Sequence, residues 1–326
     1  MVDWLSGIDA VLGTDPQPAS VDASFRRYFR LQTDSQSFIA MDAPPQQEDC
    51  MRFIHVAGYL EAMNLNAPRI IAADPEQGFL LLTDLGATHY LDKLRQEPDS
   101  AATLYSDALR ALCRMRTRGL AYQSSLPPYD EKLLRFELSL FHDWLCDRHL
   151  GIELGAADEA RWQALCDLLV ANALNQPSVF VHRDYHSRNL MFTTSNNPGI
   201  LDFQDAVEGP LTYDLVSLLK DCYVRWSPEQ VSTWACEFYA MLDPAMRQQI
   251  DVAQFLRYFD LMGVQRHLKA AGIFARLNHR DGKSAYLRDI PRTLNYIIEL
   301  EPQYAELAHL IKLINTQCLP AFEEGH

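Results

Sequence analysis

The stretch VFVHRDYHSRNLMFTTSNNPGILDFQD, residues 179–205, decides how the rest of the chain is read. It sets His182-Arg183-Asp184 just upstream of Asn189, with four residues between Asp184 and Asn189, and it brings Asp202 thirteen residues after Asn189 at the head of Asp202-Phe203-Gln204-Asp205. The runs beside these polar clusters are apolar and β-prone: Val179 to Val181, Leu190 to Phe192, and Ile200 with Leu201. The pattern predicts strand, loop, strand, turn, strand, with Asn196-Asn197-Pro198-Gly199 as the turn. A single Asp at a strand end is ordinarily a turn or cap residue. A His, an Asp, an Asn and a second Asp in this order, each at a strand end, are not accounted for by turn chemistry.

The spacing suits phosphoryl transfer. That reaction needs a group that orients the attacking hydroxyl and accepts its proton, and hard oxygen donors that hold magnesium on nucleotide phosphates. Asp184 is the candidate base. Asn189 and Asp202 are the candidate magnesium ligands, being oxygen donors from two adjacent strand ends. His182 to Asn189 also matches the kinase pattern H-R-D-x-x-x-x-N, and Asp202-Phe203 stands where that pattern continues with D-F-G.

The 326 residues are enough for about two domains, and the 48% hydrophobic content is enough for a substantial core. A formal net charge of −14 argues against nucleic acid or an anionic membrane as the main partner. It does not argue against ATP, which needs only a local positive site. Seven cysteines with no C-x-x-C pair point to a reducing, cytoplasmic setting rather than a disulfide scaffold or zinc site. Residues 1–13 lack the basic region and long apolar core of a signal peptide, and no apolar run is long enough to span a membrane.

Before the central stretch, the reading gives a short helix over 3–12 and a proline-containing connector over 14–20. Strands follow over 27–32 and 37–41, then a helix over 48–64, and a strand pair over 69–73 and 79–83. After Asp84-Leu85-Gly86 the pattern turns helical: 101–116, 130–149 and 158–174. Further helices start at Thr212, at Ser227-Pro228 and at Asp243-Pro244, and helix continues to about residue 317 with breaks near 278–283 and 301–302. The expected fold class is α+β: a bilobal, protein-kinase-like arrangement with a small antiparallel β-rich lobe over 1–86 and a large, mainly helical lobe over 87–326. Backbone groups of the connection, at Thr83 and Leu85, are the natural partners for an adenine edge.

On these residues the chain resembles the aminoglycoside phosphotransferase-type small-molecule kinases. The family pattern H-x-D-x-H-x-x-N appears as His182, Asp184, His186 and Asn189; Leu201 to Asp205, Pro210 and Asp214-Leu215 continue it. The second histidine and the Asp202-Phe203-Gln204-Asp205 form separate it from protein kinases, and no A-P-E segment follows. Within the family it is similar to the bacterial anomeric kinases of N-acetylmuramate and N-acetylglucosamine, which act in peptidoglycan recycling. That likeness rests on Ala23 to Arg30, Met41 to Pro45, Gly263 to Lys269 and Gly272 to Leu277. The resemblance implies an ATP- and Mg2+-dependent kinase with Asp184 as base and Asn189 and Asp202 on the metal. Asp205 would meet substrate or a second metal, and His182 and Asp214 would support the loop. Kinases of the same fold for other alcohols (aminoglycoside, choline-like, sugar-amine) and a nucleotide-binding regulator without turnover are the alternatives; the oligomeric state is left open.

Two departures from the wider kinase pattern stand out. No G-x-G-x-x-G loop is present, so the Ser24 to Arg27 turn would cover the phosphates through Ser24 and Arg26. No Lys lies on the 37–41 strand, and Arg30 on its neighbour is the candidate substitute, a guanidinium being able to grip phosphate bidentately. The following helix carries Glu48 and Glu61, but no Lys to pair with them. The resemblance also places the acceptor pocket among the C-terminal helices. There Arg266, Lys269, Arg276, Arg280, Lys283, Arg288 and Arg292 face only Asp281 and Asp289 over residues 266–292. Such a lining would repel a polycationic aminoglycoside and accept a neutral or carboxylate-bearing sugar. Arg266 and His267 are the candidate substrate contacts.

Overall fold

The computed structural model describes residues 1–21 and 25–323, so Ser24 lies outside the described residues. The chain divides into two compact units. The first holds Met1–Gly119 and Arg188–Ala206, and the second holds Leu120–Ser187 and Val207–His326. Residue 86, the expected lobe boundary, thus falls inside the first unit, which also takes the helix Ala101–Gly119 and the hairpin after the His182 loop. The fold class is α+β, with a five-stranded antiparallel sheet and a mainly helical remainder. Among the described residues no helix is long and apolar enough to cross a membrane.

The first unit is built on strands β1 (Gln17–Val21), β2 (Arg27–Gln32), β3 (Ser37–Asp42), β4 (Ile70–Asp74) and β5 (Phe79–Thr83), in the order β1-β2-β3-β5-β4. Alternation along β2 puts Phe29 and Leu31 on the face that packs with Leu5, Val11, Phe38, Ala40 and Leu81, and leaves Tyr28, Arg30 and Gln32 on the other. β1 was expected as a connector because of Pro16 and Pro18. It is a strand at the sheet edge, and its pairing to β2 shifts register between Pro18 and Ser20, the setting in which a sheet tolerates proline. The expected helix over 3–12 is two short turns, Val2–Leu5 and Asp9–Val11, with Gly7 between them. The β4–β5 turn needs Gly78: its φ is +79°, and a Cβ there would sit 2.0 Å from the Ala43 carbonyl oxygen. Asp49 caps the helix Cys50–Ala62 by accepting the Met51 N–H at 2.9 Å.

The second unit is organised on the 30-residue helix Val252–Asp281. Asp251 caps its start by accepting the Gln254 N–H, and Gly282, at φ +67°, turns the chain out of it. A Cβ on Gly272 would lie 2.3 Å from the Leu140 carbonyl carbon, so a glycine is required where this helix crosses residues 140–141. At that crossing the expected 130–149 helix changes from α (Glu131–Leu140) to π (Phe141–His149). The strand β6 (Ser178–Val181) pairs with β9 (Val207–Pro210), a strand the sequence reading did not assign. The strands β7 (Leu190–Met191) and β8 (Gly199–Ile200) form a separate hairpin in the first unit.

Candidate active site

In the second unit, β6 ends at Val181 and delivers the loop His182 to Ser187. A buried carboxylate holds each end of that loop. Asp214 accepts the His182 N–H at 2.8 Å on one oxygen and the Arg183 N–H at 2.9 Å on the other. Asp221 accepts both the N–H (3.0 Å) and the hydroxyl (2.5 Å) of Ser187, and its second oxygen takes the Tyr223 N–H at 2.9 Å. Both aspartates are fully buried, Asp214 in the first turn of the helix Tyr213–Leu219 and Asp221 just past its end. Between these anchors Arg183 adopts φ +77°, a left-handed conformation that non-glycine residues rarely hold, and the paired amides to Asp214 fix it there. His182 Nδ1 accepts the Asp184 N–H at 3.2 Å, and the Asp184 carbonyl accepts from the His186 N–H at 3.1 Å.

Burial works against the charge of Asp184, but Lys269, His186, Arg183 and Arg266 outweigh it and hold its carboxyl below the ordinary carboxylate range. Arg266 is buried, donates to Cys222 Sγ at 3.7 Å, and its charge acts on both Asp184 and Asp221. His267 is placed differently from a substrate contact. Its ring stacks on Tyr296 at 4.8 Å, its Nε2 meets the Lys220 carbonyl at 2.9 Å, and burial pushes it down to about 3, so it is a neutral packing group.

In the first unit, the hairpin register brings Asn189 and Asp202 together. Leu190 faces Ile200, the Leu201 N–H donates to the Asn189 carbonyl at 2.9 Å, and the two side chains meet with Asn189 Nδ2 3.2 Å from Asp202 Oδ2. A Cβ on Gly199 would come within 2.9 Å of Leu85 Cδ1, so Leu85 packs directly over the hairpin. Asp202 adopts φ +60° and also accepts from Gln204 Nε2 at 2.9 Å. Arg26 reaches Asp202 at 3.8 Å and Glu48 at 3.5 Å, while the Phe25 N–H donates to Glu48 at 3.1 Å. Glu48 therefore has its cationic partner on the turn before β2 rather than on β3. Asp205 lies 3.6 Å from Arg52, both being about half exposed.

Arg30 is engaged elsewhere than on a phosphate. Its Nε and Nη2 grip Asp84 at 2.6 and 3.2 Å, and Nη2 also holds the Gly86 carbonyl at 2.9 Å. The Asp84 side chain is only 3% exposed, and the Gly86 N–H donates to it at 2.9 Å. Burial pushes the Asp84 carboxyl up, but the hydrogen bonds from Arg30 and from Gly86 outweigh it and hold it below its usual range. The fork that made Arg30 a phosphate candidate thus braces residues 84–86. Thr83 closes β5 on Arg69 through its backbone and its hydroxyl.

Sequence reasoning passed over Asp221, Glu48 as a partner of Arg26, and Glu137. The signal for Glu137 was present: a carboxylate inside the apolar stripe of Leu134, Leu138 and Phe141.

A model of the phosphotransferase enzyme family, APH, matches residues 15–259. The chain is 50% identical over 307 residues to the N-acetylmuramate/N-acetylglucosamine kinase of Pseudomonas aeruginosa, a match covering 90% of this chain and 87% of that protein. It is 48% identical over 297 residues to the N-acetylmuramate/N-acetylglucosamine kinase of Pseudomonas putida, covering 91% of this chain and 86% of that one. Among solved structures it is similar to the ADP-bound aminoglycoside phosphotransferase APH(2'')-Ib, with a TM-score of 0.59 at 14% identity over 90% of this chain and 96% of that one, a likeness of protein-kinase-like fold. With a family model matched over most of its length and relatives half identical to it, this chain belongs to the phosphotransferase enzyme family.

Proposed function

We propose that this phosphotransferase moves the γ-phosphoryl group of ATP, with Mg2+, onto the anomeric hydroxyl of N-acetylmuramate or N-acetylglucosamine in the cytoplasm. The observation that carries the acceptor is the 50% identity over 90% of the chain to a kinase named for these two sugars. In this reading the residues over 1–86 cover the nucleotide, and the remainder carries the catalytic loop and the acceptor pocket.

Asp184 would receive the sugar hydroxyl and take its proton as the oxygen attacks the γ-phosphorus in line; the phosphorus–oxygen bond to ADP breaks, and no covalent enzyme intermediate is needed. A carboxylate held below its ordinary range is ionised at neutral pH, which is the state a base requires. A hemiacetal hydroxyl is more acidic than an ordinary alcohol, so so weak a base suffices. Asp214 and His182 keep the Asp184 backbone in place. Asn189 and Asp202 suit magnesium by donor chemistry: their side chains meet, each carries a hard oxygen, and this ion is bound through one or two protein oxygens with phosphates and water completing its shell. Once bound, the ion would neutralise charge on the phosphate oxygens. Arg26 is the phosphate-side cation in place of the missing Lys. Arg266 is the contact proposed for a sugar carboxylate, because it is a buried guanidinium whose charge acts on Asp184.

The test is ADP release with Mg-ATP over N-acetylmuramate, N-acetylglucosamine, glucose, kanamycin and choline, with Asp184→Asn in parallel. Turnover on the two N-acetyl sugars, lost in the variant, is expected. Turnover on kanamycin or choline alone would sink the sugar assignment and keep the chemistry.

A further inference from the structure

The residues that follow β5 and the β7–β8 hairpin belong to the same unit and are stitched together along their length. Leu85 is half-buried, and a Cβ on Gly199 would lie 2.9 Å from its Cδ1, 3.1 Å from the Met191 Cβ and 3.3 Å from the Thr193 Cγ2. No side chain fits at residue 199 without displacing these neighbours, so the leucine methyl rests on the hairpin backbone itself. Further along, the Phe192 N–H donates to the Thr88 carbonyl at 2.8 Å, and His89 bridges to Met191. At the β8 edge the Ile200 N–H donates to the Asn66 carbonyl at 2.7 Å. The start of the connection is fixed as well, since Arg30 on β2 holds the Asp84 carboxylate and the Gly86 carbonyl. The Asp84 side chain is taken up by Arg30 and Gly86 has none, so within 84–86 the side-chain contact to the hairpin falls to Leu85.

That hairpin carries the two candidate metal ligands at its two ends. Asn189 directly precedes β7, and Asp202 follows β8 after Leu201, whose N–H donates to the Asn189 carbonyl at 2.9 Å. Gly199 is only three residues from Asp202, so a shift at the Leu85 contact is passed along two strand residues to a ligand. We propose that Leu85 is a positioning residue for the metal: through Gly199 it locks the hairpin that carries Asn189 and Asp202 to residues 84–86. The proposal rests on the readings of Thr83 and Leu85 as backbone partners of the adenine edge and of Asn189 and Asp202 as the magnesium ligands. Adenine and metal then engage one rigid body, and the binding of each favours the other. With the leucine truncated, adenine still finds its backbone partners, but the ligands are no longer held in register with them.

The probe is ADP, titrated calorimetrically into wild type, Leu85→Ala, Leu85→Met, Gly199→Ala and the double variant Leu85→Ala/Gly199→Ala. Each titration is run once with Mg2+ and once with EDTA, and melting temperatures are taken alongside. The quantity read is the factor by which Mg2+ tightens ADP, which a purely structural loss would not move. In Leu85→Ala it should fall by about fivefold, the low end of coupling between sites, with the affinity in EDTA within about twofold of wild type. Leu85→Met, close in volume, should keep it. Gly199→Ala should lower it, and the double variant should lose less than the product of the two single losses, because the 2.9 Å crowding disappears once the leucine is truncated. Equal weakening of ADP with and without Mg2+ would make Leu85 a wall of the adenine site and overturn the proposal. A factor unchanged in Leu85→Ala overturns it too, the backbone bonds at Thr88 and Asn66 then sufficing. If Leu85→Ala does not fold, Leu85→Val is read in its place by the same two criteria. Asp202→Asn separates the proposal from the reading beneath it. A wild-type factor in Asp202→Asn, or no tightening by Mg2+ in wild type, removes the ligand reading and the proposal with it. A factor that falls in Asp202→Asn but not in Leu85→Ala removes the role of Leu85 alone.

Discussion

Two acidic centres, one in each unit, show how differently a protein can hold a carboxylate. Asp202 in the first unit has a side chain 38% exposed, the side-chain amides of Asn189 and Gln204 on it, and Arg26 at 3.8 Å. Glu137 in the second is 2% exposed and meets Lys269 and Arg183 directly. The first is an arrangement that still has solvent-facing oxygen to offer to an ion. The second is closed, its partners all within the protein, and it can act only through what it holds in place. The difference teaches that the more strongly a carboxylate is satisfied internally, the further from the reacting atoms its role lies. Asp184 stands between these cases, half-buried and kept charged by Lys269, His186, Arg183 and Arg266.

The largest effect should come from the reacting group itself. Asp184→Asn should lower kcat by about 10³-fold, within the range for loss of a positioned base, at a melting temperature close to wild type. Asp202→Asn should instead raise the Mg2+ concentration needed for half-maximal rate, and added Mg2+ should restore part of the activity. If both variants respond to Mg2+ alike, the separation of base and ligand between the two centres is wrong.

The closed centre should show itself in stability. Glu137→Gln leaves two largely buried cations without their counter-charge, and breaking one side of a buried pair costs about 3–5 kcal/mol. Its pH dependence follows from linkage. Burial raises the Glu137 carboxyl, but the charges of Lys269 and Arg183 outweigh it, so in the folded state it lies below its ordinary value of 4.5. The unfolded chain then binds the proton more readily, so the contribution is complete above about 4.5 and is lost as pH falls through the lower folded value. Wild type should therefore lose stability on acidification more steeply than Glu137→Gln between pH 5 and pH 3, as read by urea unfolding at each pH; parallel curves would break the contrast.

Much of this was legible from residues 179–205 because the information there is local. Apolar pairs flank polar clusters, and a hairpin of fixed register carries Asn189 to Asp202. The sheet was equally legible, with β2 at its expected bounds. What was hidden has a physical reason in each case. Pro18 disguised a strand that lies at the edge, where a missing N–H costs nothing. Arg30 and Asp84 are 54 residues apart, so nothing near Arg30 signals that its fork is occupied. The partners of Glu137 come from 46 and 128 residues away, at Arg183 and Gln265, and only the odd polar residue in an apolar stripe hinted at them.

An intermediate case lies at Arg30. Arg30→Ala leaves the Asp84 carboxylate buried with the Gly86 N–H still on it, so a loss of about 2–3 kcal/mol is expected, smaller than at Glu137 because Arg30 is 32% exposed. The same variant tests the reassignment of this residue. Bracing residues 84–86 predicts a lower melting temperature with KM for ATP raised only modestly. A KM for ATP raised 100-fold or more at unchanged melting temperature would return Arg30 to the phosphates.

The smallest effect on stability should be at Asp205, and there the comparison is sharpest. Asp205 and Arg52 are 3.6 Å apart with side chains 48% and 45% exposed, so water and salt screen most of their attraction. Asp205→Asn should shift stability by less than about 0.5 kcal/mol, an order below Glu137→Gln, although both remove one charge from a carboxylate. That quietness makes the variant informative about function, since a change in rate could not be blamed on the fold. If kcat/KM for the sugar falls at least tenfold while KM for ATP and the melting temperature stay put, Asp205 meets the acceptor. If the Mg2+ requirement rises instead, it serves a second ion. If neither moves, the pair with Arg52 is surface electrostatics alone, and the functional carboxylate of the first unit is Asp202 by itself.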